Sequence, residues 1–280
     1  MRMMKTTMTR LIMFGFLFVS LPSQAVEYQS PRTLALGGAG RAGPLLNDSI
    51  YLNPAYASFN SIYSANLGYT WFEHGRNYNV SVQDTRNEFL QAGVGYTKRE
   101  RNSAINLGAS RQVVKQVGFG LGSKFIIDNT TNKITNDMSF ETTYIAQQWV
   151  YVSLVVDNLI QGQESKQRNL FRTVYLAFKF IPTKDVEFFF DPLYSPDYQA
   201  GNKSGFSLGV ELGLLADFYF RAGKFKDAEI THLDSRGDGY GVGLGWIGPR
   251  INFDYAFSRV TTSHAGLAST VHSLSTTLFF

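Results

Sequence analysis

From Ile62 to Phe280 the chain alternates apolar side chains with small or polar ones in short segments separated by turn residues. In an extended strand successive side chains point to opposite faces, so each such segment has one apolar face and one polar or crowded face. Val117, Phe119, Leu121, Phe125 and Ile127 share one face, and Gly118, Gly120, Gly122 and Lys124 share the other. The same reading separates Leu90, Ala92, Val94 and Tyr96 from Gln91, Gly93, Gly95 and Thr97, and Phe206, Leu208, Val210 and Leu212 from Ser207, Gly209, Glu211 and Gly213. By itself the alternation suits a soluble sandwich or lipocalin-like barrel as well as a membrane barrel.

The segments number about fourteen, and even counts are characteristic of bacterial outer-membrane barrels. Links after even-numbered segments are short, such as 112–116 and 247–249. Links after most odd-numbered ones are longer: Asp128 to Asp137, Asn158 to Leu170, Pro192 to Lys203, Lys226 to Asp238 and Arg259 to Ser269. Short periplasmic turns alternating with longer outward loops are what an exported barrel requires.

The start of the chain supports export. Arg2, Lys5 and Arg10 precede an apolar run from Leu11 to Leu21, which closes on Ser23-Gln24-Ala25. This is the pattern of a cleaved signal peptide over residues 1–25, because the run is shorter than the roughly 20 residues a membrane helix needs. Losing those three bases lowers the formal charge of +4 by three, to +1, so the basic balance belongs to the export signal rather than to a nucleic-acid surface. Beyond Ala25 no apolar stretch is long enough for a spanning helix. With no cysteine, 44% hydrophobic and 15% aromatic residues, the composition suits strands bathed in lipid and ringed by aromatic girdles.

The expected fold is therefore all-β: a transmembrane antiparallel β-barrel of about 14 strands over residues 62–280. Its lipid-facing set includes Phe119, Leu121, Phe188, Phe190, Leu208, Phe220 and Leu244. The opposite phase carries Lys124, Glu141, Lys179, Glu187, Asp191, Glu211, Arg221 and Asp254, which would point into the lumen, since charge on the lipid face costs several kcal/mol at mid-bilayer.

Residues 26–61 do not alternate. They read Arg32-Thr33-Leu34-Ala35-Leu36-Gly37-Gly38-Ala39-Gly40-Arg41-Ala42, then Asn47-Asp48 and Asn53-Pro54-Ala55. This Gly/Ala-rich run with Asn-Asp and Asn-Pro-Ala, ahead of a strand-rich chain ending in Phe280, resembles the FadL-type outer-membrane family of long-chain fatty-acid transporters, hydrocarbon channels and PorV-like secretion proteins. Phe220-Arg221-Ala222-Gly223 and Phe253-Asp254-Tyr255-Ala256-Phe257 are weaker echoes, closer to the PorV-like branch. The resemblance implies a hatch, residues 26–61, folded inside the lumen, with Gly38, Gly40, Asn53, Pro54 and Ala55 as its motif. Phe280 resembles the terminal aromatic by which barrel-assembly machinery sorts such proteins. The implied partners are outer-membrane lipid and a small hydrophobic ligand, or secretion-system proteins for a PorV-like scaffold, in the outer membrane of a Gram-negative bacterium. Lumen-facing glycines such as Gly93, Gly95, Gly108, Gly118, Gly120, Gly209, Gly241 and Gly243 would leave room for the inserted backbone.

Other motifs point to no chemistry. Gly38-Ala39-Gly40-Arg41-Ala42-Gly43 is a literal GxGxxG, but it lacks the strand before and the helix after that a dinucleotide site needs, and a tight hatch turn accounts for it. Arg236-Gly237-Asp238 reads as an ordinary outward turn. His74, His232, His264 and His272 are scattered without zinc-ligand spacing, and adjacent Ser263-His264 is not a catalytic geometry. No enzyme activity, metal, cofactor or nucleic-acid partner is implied.

Overall fold

The computed structural model describes residues 28–280 apart from positions 74, 169, 216 and 234. The expected signal peptide, residues 1–25, lies outside the described residues.

Fourteen antiparallel strands close into a single barrel in which each strand pairs with its sequence neighbours and β1 pairs with β14. The first seven are β1 (Tyr63–Phe72), β2 (Gly75–Asp84), β3 (Gln91–Lys98), β4 (Asn102–Val114), β5 (Val117–Asp128), β6 (Ile134–Gln147) and β7 (Val150–Asp157). The second half comprises β8 (Thr173–Thr183), β9 (Val186–Tyr194), β10 (Ser204–Leu215), β11 (Phe218–Ile230), β12 (Ser235–Ile247), β13 (Ile251–Ser263) and β14 (Ser269–Phe279). Each alternating segment of the sequence forms one strand. At the seam, Phe280 exchanges backbone hydrogen bonds with Tyr63, at 2.8 and 3.2 Å, so the last residue completes the ring that removes every sheet edge.

The apolar phase faces out. Phe119, Leu121, Leu176, Phe188, Phe190, Leu208, Leu244, Phe253 and Leu274 are exposed large hydrophobics, while Glu141, Lys179, Asp191, Glu211, Arg221 and Asp254 on the alternate phase are buried. A soluble protein would bury the first set and expose the second, and a wall in contact with lipid inverts that order.

The loops differ from the expectation. Two of the long polar links, 226–238 and 259–269, are mostly strand: β11 runs to Ile230, β12 starts at Ser235, and β13 runs to Ser263. Bulges between Phe225 and Ala228 and between Asp238 and Gly239 keep the pairing going where the strict alternation stops. Among the described residues, 158–172, which carries α4 (Gln163–Gln167), and 195–203 are the longest remaining connections. Both lie at the end of the barrel away from the chain termini, the outer end by the convention of exported barrels.

Among the described residues before β1 are three short α-helices, α1 (Pro31–Ala35), α2 (Ser49–Leu52) and α3 (Pro54–Ala57). Ser30 caps α1 by accepting the Thr33 amide at 3.2 Å, with Pro31 in the first turn, and the helix stops where Gly37 and Gly38 adopt φ of 66° and 84°. The segment packs against the inward phase of the strands, and the eight glycines singled out above all abut it. A Cβ on Gly120 would meet the backbone of Ala55, on Gly209 the side chain of Leu36, on Gly241 the backbone of Leu34 and on Gly108 the ring of Pro54.

Candidate functional site

The leading segment is tied to the wall by charge. Arg32 Nε donates to Glu211 Oε2 at 2.9 Å, its Nη2 lies 3.6 Å from Glu187 Oε2, and Lys179 Nζ reaches Glu187 Oε1 at 2.8 Å. Arg221 donates to both Glu211 and Asp254, and Asn252 Nδ2 donates to Asp254 Oδ2 at 2.7 Å. Five of the lumen-facing residues read from the sequence thus form one buried network around Arg32, which strand alternation could not reveal because Arg32 lies in no strand. Glu141 stands apart from it, buried and hydrogen-bonded to Ser139, and Lys124 pairs in register with Asp137 on β6.

The glycine motif performs a different task. The amides of Gly40 and Arg41 both donate to Asp191 Oδ2 at 3.0 Å, so the turn is an anion nest whose anion is a side chain of β9. Arg41 stacks on Tyr175, with its guanidinium carbon 3.6 Å from the ring centre, and donates to the Gly38 carbonyl at 2.9 Å. Asn53 crosses the lumen, its Nδ2 donating to Arg41 O at 2.7 Å and to Thr143 Oγ1 at 2.8 Å. Pro54 and Ala55 follow, pressed against Gly108 and Gly120. Ser30 Oγ donates to Asp48 Oδ2 at 2.6 Å, and enclosure within the barrel pushes the Asp48 carboxyl up to about 6.

Beyond this anchored layer, toward the outer end, the inward phase turns apolar. Val155, Tyr175, Leu193, Phe225, Ile230 and Val260 form a buried collar, which sequence reasoning missed because it assigned the inward phase to glycines and polar residues throughout. Two cavities meet at this collar. One, about 790 Å³ with its open mouth included, ends on Gly38 and Arg41. The other, about 490 Å³ on the same measure, lies nearer the outer rim between the 158–172 loop and β12. Both are lined by Tyr175, Leu193, Glu229 and Thr231.

The outer rim is cross-linked by side chains. Tyr198 OH and His264 Nδ1 are 2.7 Å apart, His264 Nε2 lies 3.1 Å from Asp227 Oδ1, and Asn202 Nδ2 donates to Asp227 Oδ2 at 2.9 Å. Ser263 Oγ is turned away from this chain, donating to Leu267 O at 2.7 Å. Arg99 donates to the His232 carbonyl at 3.1 Å; burial, with the Arg99 charge second, holds the His232 imidazole down to about 3, so it stays neutral.

The described residues thus form a closed fourteen-strand β-barrel, apolar outside and with a polar-anchored segment within. No protein-family model and no curated protein matches the sequence. Among solved structures the chain is similar to the CymD monoaromatic hydrocarbon channel, with a TM-score of 0.65 and 14% identity over 92% of this chain and 99% of that one. It is similar also to a Pseudomonas aeruginosa FadL homologue, at TM-score 0.63 and 12% identity over 91% and 99% of the two chains. The Pseudomonas putida toluene transporter TodX superposes at TM-score 0.61 and 10% identity, covering 92% and 99%.

Proposed function

We propose that this barrel is an outer-membrane channel for small hydrophobic molecules. The observation that carries the reading is the apolar collar joining two cavities that run from the outer rim down to the leading segment. A hydrophobic solute gains by leaving water for such a surface. In this reading residues 26–61 act as the hatch, and solute passes when the hatch shifts from Asp191 and the Arg32 network. The substrates that fit are monoaromatic hydrocarbons or fatty-acid-like molecules. The test is uptake of radiolabelled toluene and of a fatty acid by cells with and without the gene; equal uptake in both would remove the channel reading.

A second reading, a PorV-like scaffold that conducts nothing, draws on the number of buried charges pinning Arg32 and Arg41 and on the short outer loops. Under it, deleting the gene leaves hydrophobic uptake untouched and depletes exported proteins from the cell surface.

A further inference from the structure

Toward the outer end, the outward phase of the wall is charged on one side only. Arg76 on β2, Lys98 on β3, Lys224 and Lys226 on β11 and Arg259 on β13 are exposed, and the residues beside them that point inward, such as Asn77, Thr97 and Phe225, are buried. These strands belong to one arc, from β11 through β14 and β1 to β3, that straddles the seam. On each, the cation marks where the outward apolar run stops: Phe220 and Ala222 give way to Lys224 and Lys226, and Val80 and Tyr78 to Arg76. On β4 to β10 the matching outward positions hold Phe125, Met138, Val174, Phe206 and their like, and among the described residues none of these positions is charged. Aromatic rings stand level with the basic row. Tyr240 lies in register between Lys224 and Arg259, and Trp71 between Arg76 and His272, stacked on the His272 ring with centres 5.2 Å apart. Tyr and Trp rings sit at headgroup depth, and long basic side chains reach the same depth from apolar surface. Two acids on this arc are engaged within the protein, Asp238 accepting the Asp227 amide at 2.8 Å and Glu73 the Thr270 hydroxyl at 3.5 Å.

We propose that this arc is the docking surface of a phosphorylated glycolipid of the outer leaflet, with phosphates on the basic row and acyl chains on the apolar runs below it. Charge and place together set the occupant: the row is cationic, it borders the lipid-facing surface, and it lies at the end of the barrel away from the chain termini. Adjacent strands are about 4.8 Å apart, so Lys224 and Arg259, two strands apart, are separated by roughly 10 Å, and Arg76 stands three strands further on. Separate cations therefore meet separate phosphates of one lipid or of neighbours, which favours a headgroup with more than one phosphate. Each base at a membrane surface strengthens binding of an anionic headgroup about fivefold. The inference does not depend on what the barrel conducts.

The test is native mass spectrometry of the detergent-solubilised full barrel incubated with bisphosphorylated lipid A and with the same glycolipid stripped of its phosphates. The phosphorylated form should be retained at least tenfold more. The double variant Lys224→Gln with Arg259→Gln should lower that retention at least tenfold and leave the stripped glycolipid unchanged. Lys133→Gln removes an exposed cation outside the arc, one that pairs with Glu164 at 3.5 Å, and should change neither. Each variant is first shown to keep the heat-dependent gel shift of a folded barrel, and Arg76→Gln alone, with a loss of about fivefold, carries the test if the double variant does not fold. Equal retention of the two glycolipids, unchanged lipid A binding in the folded variant, or an equal loss in Lys133→Gln would overturn the proposal. So would phosphatidylglycerol held as tightly as lipid A, or lipid A displaced by an equal concentration of inorganic phosphate.

Discussion

Asp191 on β9 grips Arg41 twice, accepting its backbone amide at 3.0 Å while the guanidinium Nη1 lies 3.7 Å from the same oxygen. The carboxylate is fully enclosed, and it also takes the Gly40 amide. The contact joins the glycine turn to the wall at the floor of the inner cavity.

Asp191→Ala should therefore loosen the leading segment without opening the barrel. Removing one partner of a buried ion pair costs about 3–5 kcal/mol, and here the cost falls on the docking of residues 38–43. Planar-bilayer recordings should show openings absent from the native protein, with the gel shift of the closed barrel retained. A silent Asp191→Ala would mean the segment is held elsewhere.

Gly223→Leu tests the same docking sterically. A Cβ at Gly223 would overlap the carbonyl of Leu36 and the amide of Gly37, which are backbone and cannot rotate aside. At Gly93 the obstacle is the Ile50 side chain, which can move. Gly223→Leu should admit a dye into cells several-fold faster than Gly93→Ala does.

The segment should also release as pH rises. The Asp48 carboxyl is pushed up to about 6 by enclosure, above its ordinary value. A group raised in the docked state favours docking fully below its free value and loses that contribution as pH rises through the docked one, here between about pH 4 and pH 6. Accessibility of a thiol label placed at Gln29 should increase over that window, and Asp48→Asn should abolish the dependence.

Leu208→Arg probes the outer face. Leu208 is exposed near the middle of β10, so the charge would meet hydrocarbon and cost about 2–4 kcal/mol. Its refolding midpoint in urea with lipid vesicles should drop accordingly, whereas a change confined to a few tenths of that would place this face in water.

How much of this was legible in the chain follows from what kind of signal each part leaves. A strand's side-chain period depends only on the backbone, so all fourteen strands and the outward set led by Phe119, Phe188 and Leu208 could be read residue by residue. Loop lengths could not, because the bulges at 225–228 and 238–239 carry β11 and β12 beyond the point where alternation ends. The inward charges on Glu211, Arg221 and Asp254 were visible as a phase, yet their common partner Arg32 was not.

The amino-acid order by itself determined strands with one apolar face each, and in hydrocarbon only a closed antiparallel wall satisfies the backbone of such strands. Only the tertiary structure decided what fills that wall. Arg32, Arg41 and Asn53 lie far along the chain from Glu211, Asp191 and Thr143, and a contact between distant segments has no local pattern; it exists only once the barrel has closed around it.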